Sequence, residues 1–192
     1  MNINYKLYKD TDNSLTPLQQ ILYNRDIPVE EQKKWLDAGL ESINDYHLLR
    51  NIKEAAVMIG NHCMRKDSRI SILQDCDVDG CTSASIIANY INRICKKEPN
   101  IIIHNGKAHG LADIDLDEIV NTTDLLILPD SSSNDYEQHK YLHDNGVDIV
   151  IADHHICEKY SEDAIVVNNQ LDDYPNKDFS GAGVMWQVCR ML

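Results

Sequence analysis

The sequence predicts an α/β fold: a parallel β-sheet of about five strands flanked by helices, with a helical N-terminal lead-in. Three observations carry this. After Arg69, short apolar runs alternate with helix-like segments, the pattern of a parallel sheet covered on both faces. The longest apolar runs, near Ile101–Ile103 and Leu125–Leu128, suit buried strands and fall far short of a membrane span. Several runs lead straight into acidic residues or glycine-containing turns, and in such sheets function collects beyond the carboxyl ends of the strands.

The elements follow in order. Residues 1–15 are polar and read as a loose approach. Leu18, Ile21 and Leu22 have helical spacing; a turn follows at Asp26-Ile27-Pro28, then a helix from Val29 to Leu36, with Pro28 suited to its first turn. A longer helix is expected from about Tyr46 to Cys63, with Leu49, Ile52, Ala56 and Ile59 on its apolar face. Ile70–Gln74 reads as the first strand. Thr82–Cys95 reads as a helix with Ala84, Ile87, Ala88, Ile91 and Ile94 on one side. Ile101–His104, Leu125–Leu128, Val147–Ala152 and Ala164–Val167 supply four more strands. Tyr136–Asn145 is a helix stopped by Gly146, and a last helix begins at Gly183. The expected organisation is a lead-in over 1–66 and one domain over 67–192.

Composition bounds the chemistry. The 192 residues suffice for one sizeable domain, and 43% hydrophobic with 26% charged residues is ordinary for a globular chain. The N-terminus has no apolar signal region, so a cytoplasmic location and no membrane association are expected. The six cysteines form no C-x-x-C pair and read as reduced thiols rather than a cysteine zinc site. The net charge of −13 opposes a nucleic-acid module by itself, yet suits a carboxylate-rich site that divalent cations neutralise.

Two acidic clusters stand out. Asp75, Asp77 and Asp79 recur at every second position after the first strand; in an extended segment they would face one way and repel unless a cation sat among them. Gly80 would then allow a tight turn into the following helix. The competing reading is an Asp-rich turn that caps that helix, which needs one Asp and not three. The second cluster, Asp153-His154-His155, follows a strand and offers imidazoles beside a carboxylate, a donor set for manganese, zinc or cobalt. Asp130 also follows a strand and leads into Ser131-Ser132-Ser133; these serines would contact phosphate or, for at least one of them, cap the next helix. Asn105-Gly106-Lys107-Ala108-His109-Gly110 reads as a loop suited to an anionic group, or as a plain flexible turn.

This ordered set resembles the DHH phosphoesterase family, and within it the RecJ-like single-strand exonucleases. Asp75-x-Asp77-x-Asp79-Gly80 with Thr82-Ser83 is similar to the first motif, Asp130 to the acid of the third, and Asp153-His154-His155 to the fourth. Ile21–Ile27 resembles the lead-in, and Gly181-Ala182-Gly183 a Gly-x-Gly after the core motifs. The resemblance runs from about Leu18 to the end. The second motif departs, with Lys107 and His109-Gly110 where an Arg and a Gly-Tyr-Gly are usual.

The resemblance implies two divalent ions, manganese first with magnesium as the alternative, held by Asp75, Asp77, Asp79, Asp130 and His154, with Asp130 or His154 bridging. It implies catalytic roles for Asp77, Asp79, His154 and His155, and a supporting role for Asp153 in orienting a histidine. It implies substrate contacts from Lys107, His109, Ser131, Gly181 and Gly183. The expected activity is 5′-to-3′ exonuclease action on single-stranded DNA in repair or recombination. Two alternatives stand beside it: hydrolysis of short oligonucleotides, nucleoside bisphosphates or cyclic dinucleotides, and a silent scaffold for replication or repair proteins. The family's downstream metal-binding Asp and its second, substrate-gripping domain find no counterpart, so a truncated domain is expected.

Overall fold

The structure, a computed structural model, describes residues 9, 12–104 and 109–192. The polar approach before residue 9, together with 10, 11 and 105–108, lies outside the described residues. The chain divides after Asn44 into two units. In the first, helix α1 (Pro17–Asn24) begins at Thr16, whose hydroxyl accepts from the Gln19 N–H while the Gln19 side chain accepts from the Thr16 N–H. Asp26, at φ 59°, turns the chain into α2 (Val29–Leu36) after Pro28.

The second unit holds the sheet. The expected helix over 46–63 is interrupted: Tyr46–Leu48 is a 3₁₀ turn, and α3 (Ile52–Met64) starts only after Asn51, which is left-handed at φ 63°. The Asn51 side chain donates to the carbonyl of Val166, 3.0 Å away. This bond holds a conformation that Asn tolerates better than most residues.

Strands β1 (Ile70–Gln74), β2 (Asn100–Ile103), β3 (Leu125–Pro129), β4 (Asp148–Asp153) and β5 (Ile165–Asn168) form one parallel sheet in the order β2-β1-β3-β4-β5. Side chains alternate faces along each strand. Ile70, Ile72, Leu125, Ile127, Val150 and Ala152 join the helices α3, α4 (Val78–Tyr90) and α7 (Gly181–Met191) in one core. Leu73, Leu126, Leu128, Ile149 and Ile151 join α5 (Leu116–Thr122) and α6 (Tyr136–Asp144) in the other. Leu125 through Leu128 are fully buried, which is why β3 reads as an unbroken apolar run. At the amino end of the sheet, buried His62 links Ser68 (2.6 Å) to Asp148 (2.8 Å) and so ties α3 to β4.

Helix α4 starts four residues before the expected Thr82, because Asp77 caps it. It then widens into a π turn over Ile91–Cys95, which rotates the side chains that follow. Ile91 is buried, but Ile94 is 64% exposed and leaves the apolar face that its spacing implies. The apolar pattern does not predict helix α5; it is short, and its cap is Asp115, which accepts from the Glu118 N–H.

The strand order reverses between β1 and β3. Crossovers leave in opposite directions there and open a crevice beyond the carboxyl ends. Asp75, Asp130 and Asp153 stand at that end of β1, β3 and β4. No helix among the described residues is long and apolar enough to cross a membrane.

Candidate metal centre and active site

Asp75 follows β1 directly and is 1% exposed. The chain does not stay extended beyond it. Asp77 is the N-cap of α4, its Oδ1 accepting from the Gly80 N–H at 2.9 Å, and Asp79 lies in the first helical turn. The capping reading therefore holds for Asp77, and the picture of three acids on one extended face does not. Gly80 makes no turn; it is already helical and is required by close packing, since a Cβ there would lie 2.5 Å from the Asp75 Cβ.

Helix geometry still brings the acids together. Donor atoms of Asp75, Asp77 and Asp130 lie within 4.8 Å of one another, as do those of Asp130, His154 and His155. Asp130 belongs to both groups. It is reached through a left-handed turn (φ 66°) after Pro129, with its N–H on the Ala152 carbonyl at 2.8 Å. A non-glycine residue held there marks a constrained site. His154 Nε2 lies 3.2 Å from Asp130 Oδ1 and 3.6 Å from Asp79 Oδ2.

Helix α7 closes this cluster. Gly181 N–H donates to Asp79 Oδ2 and Ala182 N–H to Asp79 Oδ1, each at 2.8 Å. A carboxylate at a helix N-terminus satisfies free N–H groups and meets the positive end of the helix dipole. Gly183 donates to the capping Ser180 hydroxyl. The N–H groups of both glycines thus serve the protein itself.

Asp153, also 1% exposed, accepts from the backbone N–H groups of His154, His155 and Ser133 and from the His155 ring Nδ1 at 2.8 Å. It orients His155 rather than His154. Burial opposes its ionisation, but these donors hold its carboxyl below the usual range. The same bond to Asp153 raises His155 to about 9. Asp130 departs from the behaviour of Asp153: burial first, then repulsion from Asp79, Asp77 and Asp153, lifts it to about 8. The Gly80 N–H holds Asp77 low.

The serines are buried. None caps α6, whose N-cap is Asp135 without a side-chain bond. Ser133 accepts instead from Asn168, which also donates to the His155 carbonyl. A cleft of about 280 Å³ is lined by His109, Ser131, Asp153 and His155, among others, and a second of about 420 Å³ by Cys76, Asp77 and Thr82. His109 Nδ1 is 2.7 Å from Asp75 Oδ2. Lys107 lies outside the described residues. The motif reading misses Asn168 and Ser180; a polar residue ending β5 and a Ser before Gly181 are the available signals.

The donor set fits divalent cations. Asp75 Oδ1 is buried and hydrogen-bonded to nothing among the described residues, and buried Asp130 Oδ1 meets the His154 ring nitrogen at 3.2 Å without a well-formed hydrogen bond. Unpartnered buried carboxylate oxygens are costly, and a hard cation with carboxylate and imidazole donors removes that cost.

Three comparisons bear on this arrangement. The profile of the DHH family N-terminal domain matches residues 69–191. YorK of Bacillus subtilis (strain 168), named as a putative SPbeta prophage-derived single-strand DNA-specific exonuclease, is 41% identical over 190 residues, covering 98% of this chain and 32% of its own. The single-stranded-DNA-specific exonuclease RecJ of Thermus thermophilus is 26% identical over 137 residues, covering 71% and 20%. The chain thus spans about a third or less of the length of these relatives. Two solved structures share the fold: exonuclease RecJ bound to manganese, with TM-score 0.67, 24% identity and coverage of 75% and 37%, and RecJ in complex with Mn²⁺ from Thermus thermophilus, with TM-score 0.70, 23% identity and coverage of 93% and 25%.

Proposed function

This chain belongs to the DHH family, and from that membership we propose that it hydrolyses phosphodiester bonds of single-stranded DNA, as a metal-dependent exonuclease working 5′ to 3′. The observation that carries the reading is the convergence of Asp75, Asp77, Asp130 and His154 beyond the ends of β1, β3 and β4, with a buried Asp75 oxygen that has no hydrogen-bond partner among the described residues. The relatives named as single-strand DNA exonucleases supply the substrate class.

In this reading Asp75, Asp77, Asp79, Asp130 and His154 would hold two divalent ions, manganese by preference and magnesium as the alternative. Asp130 stands both in the group with Asp75 and Asp77 and in the group with His154 and would serve either ion. Such ions supply a water acidic enough to attack at neutral pH and offset charge on phosphate. The protein's residues do the rest. Asp79 keeps spare lone pairs while its oxygens anchor α7. His155, which the hydrogen bond to Asp153 raises above the usual imidazole range, faces the cleft with His109 and Ser131 and donates to a phosphate oxygen. Asp153 fixes that ring, and Ser131 Oγ, buried and without a hydrogen-bond partner among the described residues, donates as well. Lys107 is retained as a phosphate contact on the sequence alone.

The test uses single-stranded DNA labelled at either end, with manganese against chelator. Release of labelled mononucleotide first from the 5′ end is expected, and none from Asp130→Ala. Hydrolysis without added metal, or unchanged in that variant, refutes the reading; release from the 3′ end refutes only the polarity.

A further inference from the structure

We propose that Asp75, Cys76 and His109 form a thiophilic cation site that takes zinc-class ions and shares Asp75 with the manganese centre. Cys76 stands between two of the clustered acids, and it is exposed and lines the larger cleft. Its Sγ lies 4.0 Å from His109 Nδ1, and that nitrogen lies 2.7 Å from Asp75 Oδ2. One donor atom from each residue falls within 4.8 Å of the others. Donors around a tetrahedral zinc at bond lengths of about 2.0–2.3 Å sit roughly 3.3–3.8 Å apart, so small side-chain rotations complete the set.

Asp75 joins the two sites: it is 1% exposed, its Oδ2 faces His109, and its Oδ1 has no hydrogen-bond partner among the described residues. The chemistry of the donors selects the ion. Carboxylates alone suit manganese, whereas a thiolate with an imidazole favours zinc, cobalt or cadmium. The thiol proton leaves to solvent as the sulfur–metal bond forms. Three protein donors leave a fourth position for water. An ion held here draws Asp75 away from Asp77 and Asp130, so zinc competes with manganese.

Cobalt(II) is the probe, titrated into the full metal-free chain, because a thiolate–cobalt bond gives a near-ultraviolet charge-transfer band whether or not the protein cuts DNA. The band is expected to grow to saturation on titration, displaced by zinc, retained in Cys81→Ser and lost in Cys76→Ser. Circular dichroism checks that the variants fold. His109→Ala, which keeps the thiolate, should weaken cobalt binding at least about tenfold. No band in the unaltered chain, a band surviving Cys76→Ser, or wild-type affinity in His109→Ala overturns the site. None of these outcomes depends on the exonuclease reading, whose own failure would appear only in the DNA assay.

Discussion

Gly181 donates its backbone N–H to Asp79 Oδ2 at 2.8 Å, joining the first turns of two helices 102 residues apart. The same glycine leaves no room for a side chain: a Cβ would fall on Asp130 Oδ1, far inside contact distance. One residue therefore sets the position of two candidate metal ligands. Gly181→Ala should destabilise the fold by about 1–3 kcal/mol through overpacking. It should also shrink the manganese-induced rise in melting temperature, because Asp130 must move. Thermal melts with and without manganese measure both effects. Unchanged melts would mean that α7 yields without disturbing Asp130.

Manganese should raise the melting temperature, since a ligand that binds only the folded state stabilises it. Asp77 has two tasks, capping α4 and offering a ligand, and two variants separate them. Asp77→Ala loses both: about 1 kcal/mol from the missing cap, and most of the manganese response. Asp77→Asn keeps a capping oxygen and should lose chiefly the response. A full manganese response in either variant would place the metal elsewhere.

Asp130 gives the metal-free protein a defined pH dependence. Its carboxyl rises from 3.8 to about 8 on folding, mainly by burial and then by the charges of Asp79, Asp77 and Asp153. The folded state thus holds a proton that the unfolded state has lost. Its contribution falls as pH rises from about 4 to about 8, since stability decreases with pH wherever the native state binds more protons. Asp130→Asn should flatten this decline in chelator and be the more stable protein at pH 8. With manganese the order should reverse. Denaturant titrations across that range decide it; a decline that survives in the variant would have another source.

Much of this arrangement was legible in the sequence. Strands β3 and β4 are buried on both faces, so their apolar runs stand out, and so do the acids at their ends. Other features were hidden for physical reasons. The Asp75–Asp79 stretch alternates like a strand, but one capping bond from Asp77 folds it into a helix. Asn51 breaks a helix that apolar spacing alone would continue, because its side chain finds a distant carbonyl. Ile94 has helical spacing yet lies beyond the point where the helix widens. The grip of α7 on Asp79 is a contact between distant segments, which no local pattern encodes.

His155 adds a decline of the same sign at higher pH, from attraction rather than repulsion. Its folded value, about 9, stands above the unfolded 6.5 because Asp153 accepts from its ring. The stabilisation is complete below about pH 6.5 and is lost as pH rises through about 9. Nuclear magnetic resonance of the imidazole should report that high value, and Asp153→Asn should return it toward roughly 6.5. A high value in the variant would mean that Asp153 is not its cause.

The last prediction concerns the substrate. The chain carries 31 acidic against 18 basic residues, a net charge of −13. A polyanion approaching such a surface is repelled over about 8–10 Å at moderate ionic strength, whereas a small diester with one charge meets far less opposition. Enzymes that grip DNA through lysine and arginine lose affinity as salt rises. Here the sign should reverse. With manganese held saturating, raising sodium chloride from about 20 to about 150 mM should speed cleavage of long single-stranded DNA, because the added ions screen repulsion. Hydrolysis of an activated small phosphodiester should change little over the same range. Initial rates for both substrates, measured in parallel, make the comparison. A DNA rate that falls steeply with salt would reveal a basic track for the strand and would show that net charge does not govern its approach.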